Sequence, residues 1–315
     1  MEYRQLGSSS LKVSPICFGC NVFGWTADEE MSFRLLDGWL DAGFNFYDTA
    51  DMYSRWHDGN EGGESETIMG KWLESRGCRD KIVLATKFGM DMGDGKVGLS
   101  PDYMMRAVED SLRRLKTDYI DLYQSHKDDE DTPVDATLEA YAKLIEQGKV
   151  REIGASNFSA LRLKEALDAS KTKGLPRYQS LQPLYSLVER DTFEGDLENL
   201  CEAENVGVIG FYSLASGFLT GKYRSKADME GRIRGPRVEK YVTEDGFRVL
   251  DALDEVAQKH NAKMGQVALA WLMARSSVTS PIASATNMDQ LAELTAAANV
   301  TMDADDIAKI DEASK

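Results

Sequence analysis

The sequence predicts an α/β fold, a single (β/α)8 TIM barrel over residues 1–315, with an N-terminal hairpin and extra helices near the C-terminus. Short apolar runs, rich in β-branched or aromatic residues, alternate with helical patterns along the chain. Eight such strand-like runs occur, and sequential βα units favour a parallel sheet. Eight units in a chain of this length, with no linker rich in Pro, Gly or Ser, favour closure into a barrel.

The strand predictions follow an opening hairpin at "YRQLGSSSLKVS". Each run is apolar enough to be buried on both faces of a sheet. The predicted strands are residues 16–20, 44–49, 81–88, 119–126, 152–156, 178–183, 206–213 and 280–286.

Helical patterns lie between these strands. The segment 28–43 has acidic residues in its first turn and Gly43 just past its end. The segment 100–115 has Ser100 at the predicted N-cap and Pro101 at the first helical position. The segment 132–149 repeats this arrangement with Thr132 and Pro133, and 262–277 predicts an extra helix before the last strand.

The charge balance restricts the class of partner. The chain carries 37 Lys and Arg against 53 Asp and Glu, a formal net charge of −16. Nucleic acids and anionic membranes need a basic face, so neither is an expected partner. The N-terminus has no signal-peptide pattern, no apolar run would span a membrane, and four cysteines form no disulfide framework. We expect a soluble cytoplasmic protein with no obligate protein partner.

One segment departs from this acidic character. Residues 221–241, "GKYRSKADMEGRIRGPRVEKY", contain seven Lys or Arg and three Asp or Glu. Such a concentration of positive charge indicates a loop that binds an anion.

Ionisable side chains lie at the ends of three successive predicted strands. Asp48 closes the second strand, Lys87 the third and His126 the fourth, and Tyr53 follows in the loop after the second. Catalytic residues of a TIM barrel lie at the carboxyl ends of its strands. Neighbouring strands are about 4.8 Å apart, so these four side chains can converge.

The residue types indicate acid catalysis. A tyrosine with a pKa near about 10 is a weak acid at neutral pH. An ammonium about 4 Å away favours phenolate by roughly 4 kcal/mol at an effective dielectric of ~20, before desolvation losses are counted. Asp48 would hold Lys87 charged, and His126 would orient a carbonyl oxygen. Tyr53 is thus the predicted general acid for a developing alkoxide, which requires another source of hydride.

A set of motifs in order along the chain resembles the aldo-keto reductases. The motifs are "FYDTADMY", "GESE", "ATKFG", "SLRRLKTDYIDLYQSH", "EQGKVREIGASNF" and "SLASGFLTGKY". The resemblance runs from about residue 3 to residue 313. It implies a TIM barrel that reduces aldehydes and ketones with NADPH and needs no metal. The family's catalytic tetrad falls on Asp48, Tyr53, Lys87 and His126.

The resemblance also implies a set of cofactor contacts. Nicotinamide contacts fall on Ser156, Asn157 and Gln182, with the ring stacked on Phe211. The contacts to the pyrophosphate, the adenine and the 2′-phosphate fall on Ser213, Leu214, Ala215, Lys222, Arg232, Thr286, Gln290 and Glu293. The chain departs from the family at Asn287 and Leu294, where a basic residue and an asparagine are usual. Both departures weaken the expectation of a strict NADP preference.

Three aromatic residues near the strand ends could line a substrate pocket, namely Trp25, Trp56 and Phe88. Aromatic residues at such positions are equally often part of the packing, so both interpretations stay open.

Two motifs have simpler explanations. "GDGKVG" (93–98) matches a dinucleotide-binding pattern, but Ser100 and Pro101 begin the next helix only after its last glycine. Cys17 and Cys20 are three residues apart on a buried strand and so point to opposite faces. We interpret them as packing residues.

Two other functions remain open. Voltage-gated potassium-channel β subunits share the fold and cofactor site and act as regulatory binding proteins. The same chemistry can also serve an NAD-dependent sugar or alcohol dehydrogenase. The complete tetrad favours the enzyme over the channel subunit.

Overall fold

The computed structural model describes residues 1–315, with ten strands along the chain. Strands β1 and β2 form the predicted antiparallel hairpin. The strands are β1 Arg4–Gln5, β2 Lys12–Val13, β3 Cys17–Gly19, β4 Phe46–Asp48, β5 Val83–Phe88, β6 Ile120–Ser125, β7 Val150–Ser156, β8 Tyr178–Gln182, β9 Gly207–Val208 and β10 Ile282–Ala283.

Helices lie between and after the barrel strands. The helices are α1 Glu29–Asp41, α2 Glu64–Arg76, α3 Pro101–Leu115, α4 Val134–Glu146, α5 Ala160–Lys173, α6 Asp196–Ala203, α7 Gly235–Val238, α8 Glu244–Lys259, α9 Met264–Ala274, α10 Met288–Ala297 and α11 Ala304–Ala313. Helices α8, α9 and α11 correspond to the extra helices expected near the C-terminus.

Strands β3 to β10 form a parallel barrel. Their order is β10-β3-β4-β5-β6-β7-β8-β9, with every neighbouring pair parallel. The ring closes between β9 and β10, where Thr279 N donates to Val208 O and Ile282 N donates to Gly210 O, each at 2.8 Å. This closure confirms the predicted TIM barrel.

The hairpin covers the amino end of the barrel interior. A buried cluster there joins Leu6, Leu11 and Val13 of the hairpin region to inward side chains of the strands. Gly7 fits because it has a φ of +55° and because a Cβ would lie 2.2 Å from Gln179 O. Larger apolar clusters lie outside the ring, between strands and helices.

Several predicted elements are shorter than expected. Strand β9 covers two residues rather than 206–213, because the chain after it leaves the strand conformation and turns into a loop at the carboxyl end of the barrel. Helix α3 begins at Pro101 as predicted, but the Ser100 side chain makes no capping bond. Helix α4 begins at Val134, since the Thr132 hydroxyl donates to Asp129 Oδ2 instead of capping the helix.

The two alternative motifs have the expected structure. Residues 93–98 lie in an irregular loop before α3. Cys17 packs in the barrel interior and Cys20 in a cluster outside the ring, and burial raises the pKa of both thiols. No helix is both long and apolar enough to cross a lipid bilayer.

Candidate active site

The four predicted catalytic residues meet at the carboxyl end of the barrel. Asp48 is the last residue of β4, Lys87 is the penultimate residue of β5, and His126 follows β6 directly. The parallel register aligns Asp48 with Ala85 on the neighbouring strand, so Lys87 extends past the end of β4. Tyr53 lies in the turn after β4.

Lys87 is the centre of this cluster. Its ammonium donates to Asp48 Oδ2 at 2.6 Å, to the Thr49 carbonyl at 2.8 Å and to Tyr53 Oη at 2.8 Å. An ammonium has three donors, so all of them are used. Lys87 and Asp48 are almost completely buried, and a buried charge is stable only when it is paired in this way.

The second oxygen of Asp48 is held by two amides. Oδ1 accepts from Gln124 Nε2 at 3.1 Å and from Gln182 Nε2 at 3.0 Å. Gln124 lies directly opposite Lys87 in the β5–β6 register and is fully buried. The carboxylate therefore has both oxygens bonded and one fixed orientation.

Tyr53 is a neutral phenol in this environment. Burial, followed by the negative charge of Asp48, raises the pKa of Tyr53 well above its usual value. The sequence-based value for the Lys87 effect did not include desolvation, and this desolvation acts against the phenolate together with the charge of Asp48. Because Lys87 donates to Tyr53 Oη, the phenol's own proton is available to the cleft, and its contact to Asp48 is long at 3.4 Å.

His126 is also uncharged. Burial, and then the charge of Lys87, lowers the pKa of His126 well below 6.5. Its Nδ1 is buried and has no hydrogen-bond partner, and its ring packs edge-on against Tyr53 at 5.9 Å between centroids. A neutral imidazole beside the phenol can bind a carbonyl oxygen without adding charge to the site.

A cleft of about 590 Å³ opens from these residues across the carboxyl face of the barrel. The wall includes thirteen of the predicted residues. They are Asp48, Tyr53, Trp56, His126, Ser156, Asn157, Gln182, Phe211, Ser213, Leu214, Lys222, Gln290 and Glu293.

The near part of this cleft offers free amide acceptors. The Asn157 amide donates to the His126 carbonyl at 2.9 Å, and Ser156 Oγ donates to the Gln182 carbonyl at 2.9 Å. The Asn157 bond to the His126 carbonyl and the Gln182 bond to Asp48 are both donated by side-chain amide nitrogens. The side-chain oxygens of Asn157 and Gln182 remain as acceptors beside Phe211, which suits a planar carboxamide.

The middle of the cleft offers free backbone donors. The N–H groups of Ser213 and Leu214 have no acceptor within the protein. Backbone N–H groups at the start of a turn suit a phosphate. The turn continues through Ala215, Ser216 and Gly217 with positive φ, and a Cβ on Gly217 would meet Lys222 Nζ at 2.8 Å. The residues present therefore fit a nicotinamide dinucleotide.

Comparison with known proteins agrees with this geometry. The profile of the aldo/keto reductase family matches residues 15–315. The chain belongs to the aldo/keto reductase family. It is 36% identical over 311 residues to the uncharacterized oxidoreductase YrpG of Bacillus subtilis (strain 168), covering 96% of this chain and 93% of that protein.

Two further relatives of this aldo/keto reductase carry other names. The L-glyceraldehyde 3-phosphate reductase of Escherichia coli (strain K12) is 31% identical, with 99% of this chain and 92% of that protein covered. A probable voltage-gated potassium channel subunit beta of Oryza sativa subsp. japonica is 32% identical, with coverages of 93% and 90%. Family membership supports an oxidoreductase that acts on carbonyl groups of small molecules.

Some predicted cofactor residues of the aldo/keto reductase do not line the cleft. Arg232 is exposed, and its Nε donates to the Asp228 carbonyl at 3.0 Å. Thr286 donates from N and Oγ1 to Gln290 Oε1, so it orients that side chain from behind. Ala215 is buried beneath the turn. Glu293 does line the cleft, but its carboxylate is already paired with Lys263.

The three predicted substrate aromatics separate in the structure. Trp56 lies in the cleft wall, 5.9 Å from the Tyr53 ring. Trp25 stands at the rim, 5.6 Å from Trp56. Phe88 does not reach the cleft: it is fully buried and stacks on Tyr123 at 5.0 Å. Successive strand residues point to opposite faces, so Phe88 faces the helices because Lys87 faces the site.

Several residues of the cleft or of the catalytic cluster beneath it were missed by the sequence analysis. Gln124 is fully buried next to Asp48, and the signal for it was that it lies opposite Lys87 in the strand register. Ser284 donates to Asn21 Oδ1 at 2.7 Å across the ends of the neighbouring strands β10 and β3. Other missed residues of the wall are Gln266, Arg234 and Arg237.

Proposed function

We propose that this aldo/keto reductase reduces an aldehyde or ketone to the alcohol with hydride from NADPH, and that Tyr53 supplies the proton. The observation that carries the proposal is the 2.8 Å hydrogen bond from Lys87 Nζ to Tyr53 Oη at the base of the cleft. It places a cation on the oxygen that becomes negative when the proton leaves. A reduced nicotinamide bound beside Phe211 would supply the hydride.

The side chains have separate roles in this proposal. A substrate carbonyl oxygen would accept from Tyr53 Oη and lie beside the neutral His126 ring. As negative charge develops on that oxygen, the Tyr53 proton moves to it and Lys87 stabilises the phenolate that remains. Asp48 keeps Lys87 charged and in place. Stabilisation confined to the charge-separated state lowers the barrier without tightening ground-state binding.

The test removes only the hydroxyl group that carries the acidic proton. Tyr53→Phe keeps the ring and its packing against Trp56 but removes the hydroxyl. We expect carbonyl reduction to fall by about 10²–10⁴-fold, since this is the usual contribution of a positioned acid. NADPH binding, followed by fluorescence quenching, should change little. Retention of wild-type turnover in a screen of aldehydes and ketones would exclude Tyr53 as the acid.

NADPH rather than NADH is the finer part of the proposal. Lys222 is one of the cations of the basic segment that line the cleft, and Gln290 lines it as well. The two cofactors differ in the 2′-phosphate, so the residue that contacts it should discriminate between them. We expect Lys222→Ala to weaken NADPH roughly tenfold or more while leaving NADH nearly unchanged. Arg232→Ala, which the sequence predicts to have this effect, should have a smaller one because Arg232 does not line the cleft. A wild type that prefers NADH would reject the NADP assignment.

The channel-subunit function is the second candidate, favoured by the similarity to the rice protein. It would require a stoichiometric protein partner and no carbonyl turnover, which co-purification and the substrate screen test together. An NAD-dependent dehydrogenase is the third, and the cofactor titration decides it. We also propose a cytoplasmic location, because all four cysteines are free and buried as expected in a reducing compartment.

A further inference from the structure

Two arginines of the basic segment lie in the cleft wall without an acidic partner. Arg234 and Arg237 both border the cleft. Other cations of the segment are neutralised: Arg224 pairs with Asp251 at 2.7 Å, and Lys240 pairs with Glu189. No carboxylate lies within ion-pair distance of either cleft arginine. The protein therefore presents two unneutralised guanidinium groups to whatever occupies this cleft.

The position of the pair is electrostatically costly. Arg234 is only partly exposed, and burial, followed by the charge of Arg237, lowers the pKa of its guanidinium. Two cations held beside each other in a partly desolvated wall repel one another. An anion bound between the two guanidinium groups would offset their mutual repulsion and the desolvation of Arg234. Guanidinium suits a carboxylate or a phosphate because it can donate two parallel hydrogen bonds.

The contacts of Arg237 place it at the mouth above Tyr53. Its guanidinium lies 5.9 Å from the Trp25 ring, and it donates to Tyr212 Oη at 3.3 Å. Trp25 packs on Trp56, which in turn packs on Tyr53, with ring centroids 5.6 and 5.9 Å apart. A molecule whose carbonyl reaches Tyr53 would thus extend along the two tryptophans toward Arg237.

The cofactor phosphates have other donors. The free N–H groups of Ser213 and Leu214 and the ammonium of Lys222 line the same cleft. Burial, followed by the charge of Arg234, lowers the pKa of Lys222, so Arg234 lies near these donors. Arg237 lies closer to the aromatic residues at the mouth of the cleft. Its substitution can therefore show whether the arginine binds an anionic group of the substrate or a phosphate of the cofactor.

We infer that Arg234 and Arg237 form an anion subsite of the substrate pocket, so that the preferred substrate is a carbonyl compound bearing a carboxylate or phosphate. This inference rests on the proposed reductase function and adds a substrate class to it. The aromatic pair Trp25 and Trp56 forms the apolar surface between the anion subsite and the acid. Both guanidinium groups lie 5.9 Å from the centre of the Trp25 ring, at the outer limit of a cation–π contact.

The test compares two aldehydes of equal size. These are p-carboxybenzaldehyde, which is anionic, and p-formylbenzamide, which is neutral. For wild type we expect kcat/KM to favour the anionic aldehyde. In Arg237→Gln this preference, taken as the ratio of the two kcat/KM values, should fall by roughly three- to tenfold. The effect is smaller than for a buried guanidinium because Arg237 is exposed.

The matched control is Arg224→Gln. It removes the same charge from the same segment, at a residue that pairs with Asp251 outside the cleft. Its aldehyde preference should equal that of wild type. Arg237→Lys should recover part of the preference, since it restores charge without the planar fork. An Arg224→Gln effect as large as that of Arg237→Gln would show that only the overall charge matters and would overturn the subsite.

Cofactor titration distinguishes the two sources of anion. If Arg237→Gln weakens NADPH and NADH equally and leaves the aldehyde ratio unchanged, the arginines serve the pyrophosphate and the inference is wrong. A readout without turnover is the binding of benzoate and benzamide to the NADP⁺-saturated protein, followed by tryptophan fluorescence. Tighter benzoate binding that disappears in Arg237→Gln supports the subsite even if no aldehyde is reduced, whereas equal binding of both excludes it.

Discussion

Gln124 Nε2 lies 3.1 Å from Asp48 Oδ1, the carboxylate oxygen that does not accept from Lys87. Gln124 makes no hydrogen bond to Lys87, yet it fixes the carboxylate that orients Lys87. It is therefore a positioning residue for the acid, one step removed from Tyr53.

Replacing this amide with a carboxyl group should make the reaction sensitive to acid. In Gln124→Glu, a carboxylate would face Asp48, and like charges raise the pKa of one of the pair. At low pH the new group is protonated and can again donate to Asp48. We expect kcat to be several-fold to tenfold below wild type at neutral pH and to recover as pH falls, measured from pH–rate profiles. Gln179→Glu, on strand β8 but outside the cleft, should leave the profile unchanged.

Lys87→Met should lower kcat and shift the basic limb of the pH–rate profile upward. The ammonium that stabilises phenolate is lost, while burial and Asp48, which raise the pKa of Tyr53, remain. Asp48→Asn should lower kcat less than Lys87→Met does, since the Lys87 ammonium stays in place but is less firmly held. Identical profiles in wild type and both variants would mean that the pair is purely structural.

His126 should make the protein less stable in acid. Its pKa is lowered in the folded state, so the unfolded chain binds a proton first as pH falls below about 6.5. The contribution of the neutral ring is complete above that pH and is lost progressively below it. His126→Gln should flatten the dependence of the free energy of unfolding on pH between about 6.5 and 5. Urea titrations at a series of pH values measure it, and an unchanged slope would contradict the burial of a neutral ring.

Glu66 should be far more important for stability than other acidic residues of α2. It is fully buried, accepts from Thr86 Oγ1 at 2.5 Å and pairs with Arg114 Nε at 2.7 Å. Glu66→Ala leaves Arg114 without its partner, and we expect a loss of about 3 kcal/mol in the free energy of unfolding. Glu74 is on the same helix as Glu66 and forms an exposed ion pair with Lys116. Glu74→Ala should therefore lower the free energy of unfolding by less than about 1 kcal/mol. Equal losses would show that burial of the pair does not matter.

The barrel and the convergence of the candidate catalytic residues at its carboxyl end were predictable, because the strands follow periodic patterns and the residues follow the strand ends. Strand alternation and the carboxyl-end rule locate Asp48, Lys87 and His126 from sequence alone. The same alternation could have excluded Phe88, since its neighbour Lys87 faces the site. It could also have identified Gln124, whose strand position matches that of Lys87.

The arginines of the basic segment could not be assigned in the same way. The composition of 221–241 predicted an anion-binding loop, but its path depends on short helical turns with no regular spacing. Arg232 is exposed, while Arg234, two residues later, lies in the wall. The conformation of one turn in such a loop determines which cationic side chain faces the cleft. Tertiary packing sets that conformation, so the sequence pattern alone does not predict it.

The seam that closes the barrel between β9 and β10 has a dynamic consequence. Each of these strands has two residues, whereas β5, β6 and β7 have six or seven. Local opening of the ring should start at this seam, so its amides should exchange with deuterium faster than those of β6. The segments that follow the two seam strands carry Ser213, Leu214 and Gln290, which border the cleft. A dinucleotide that contacts both of these segments would link β9 and β10, where the barrel has its fewest strand residues. Cofactor binding should therefore raise amide protection most in β9 and β10.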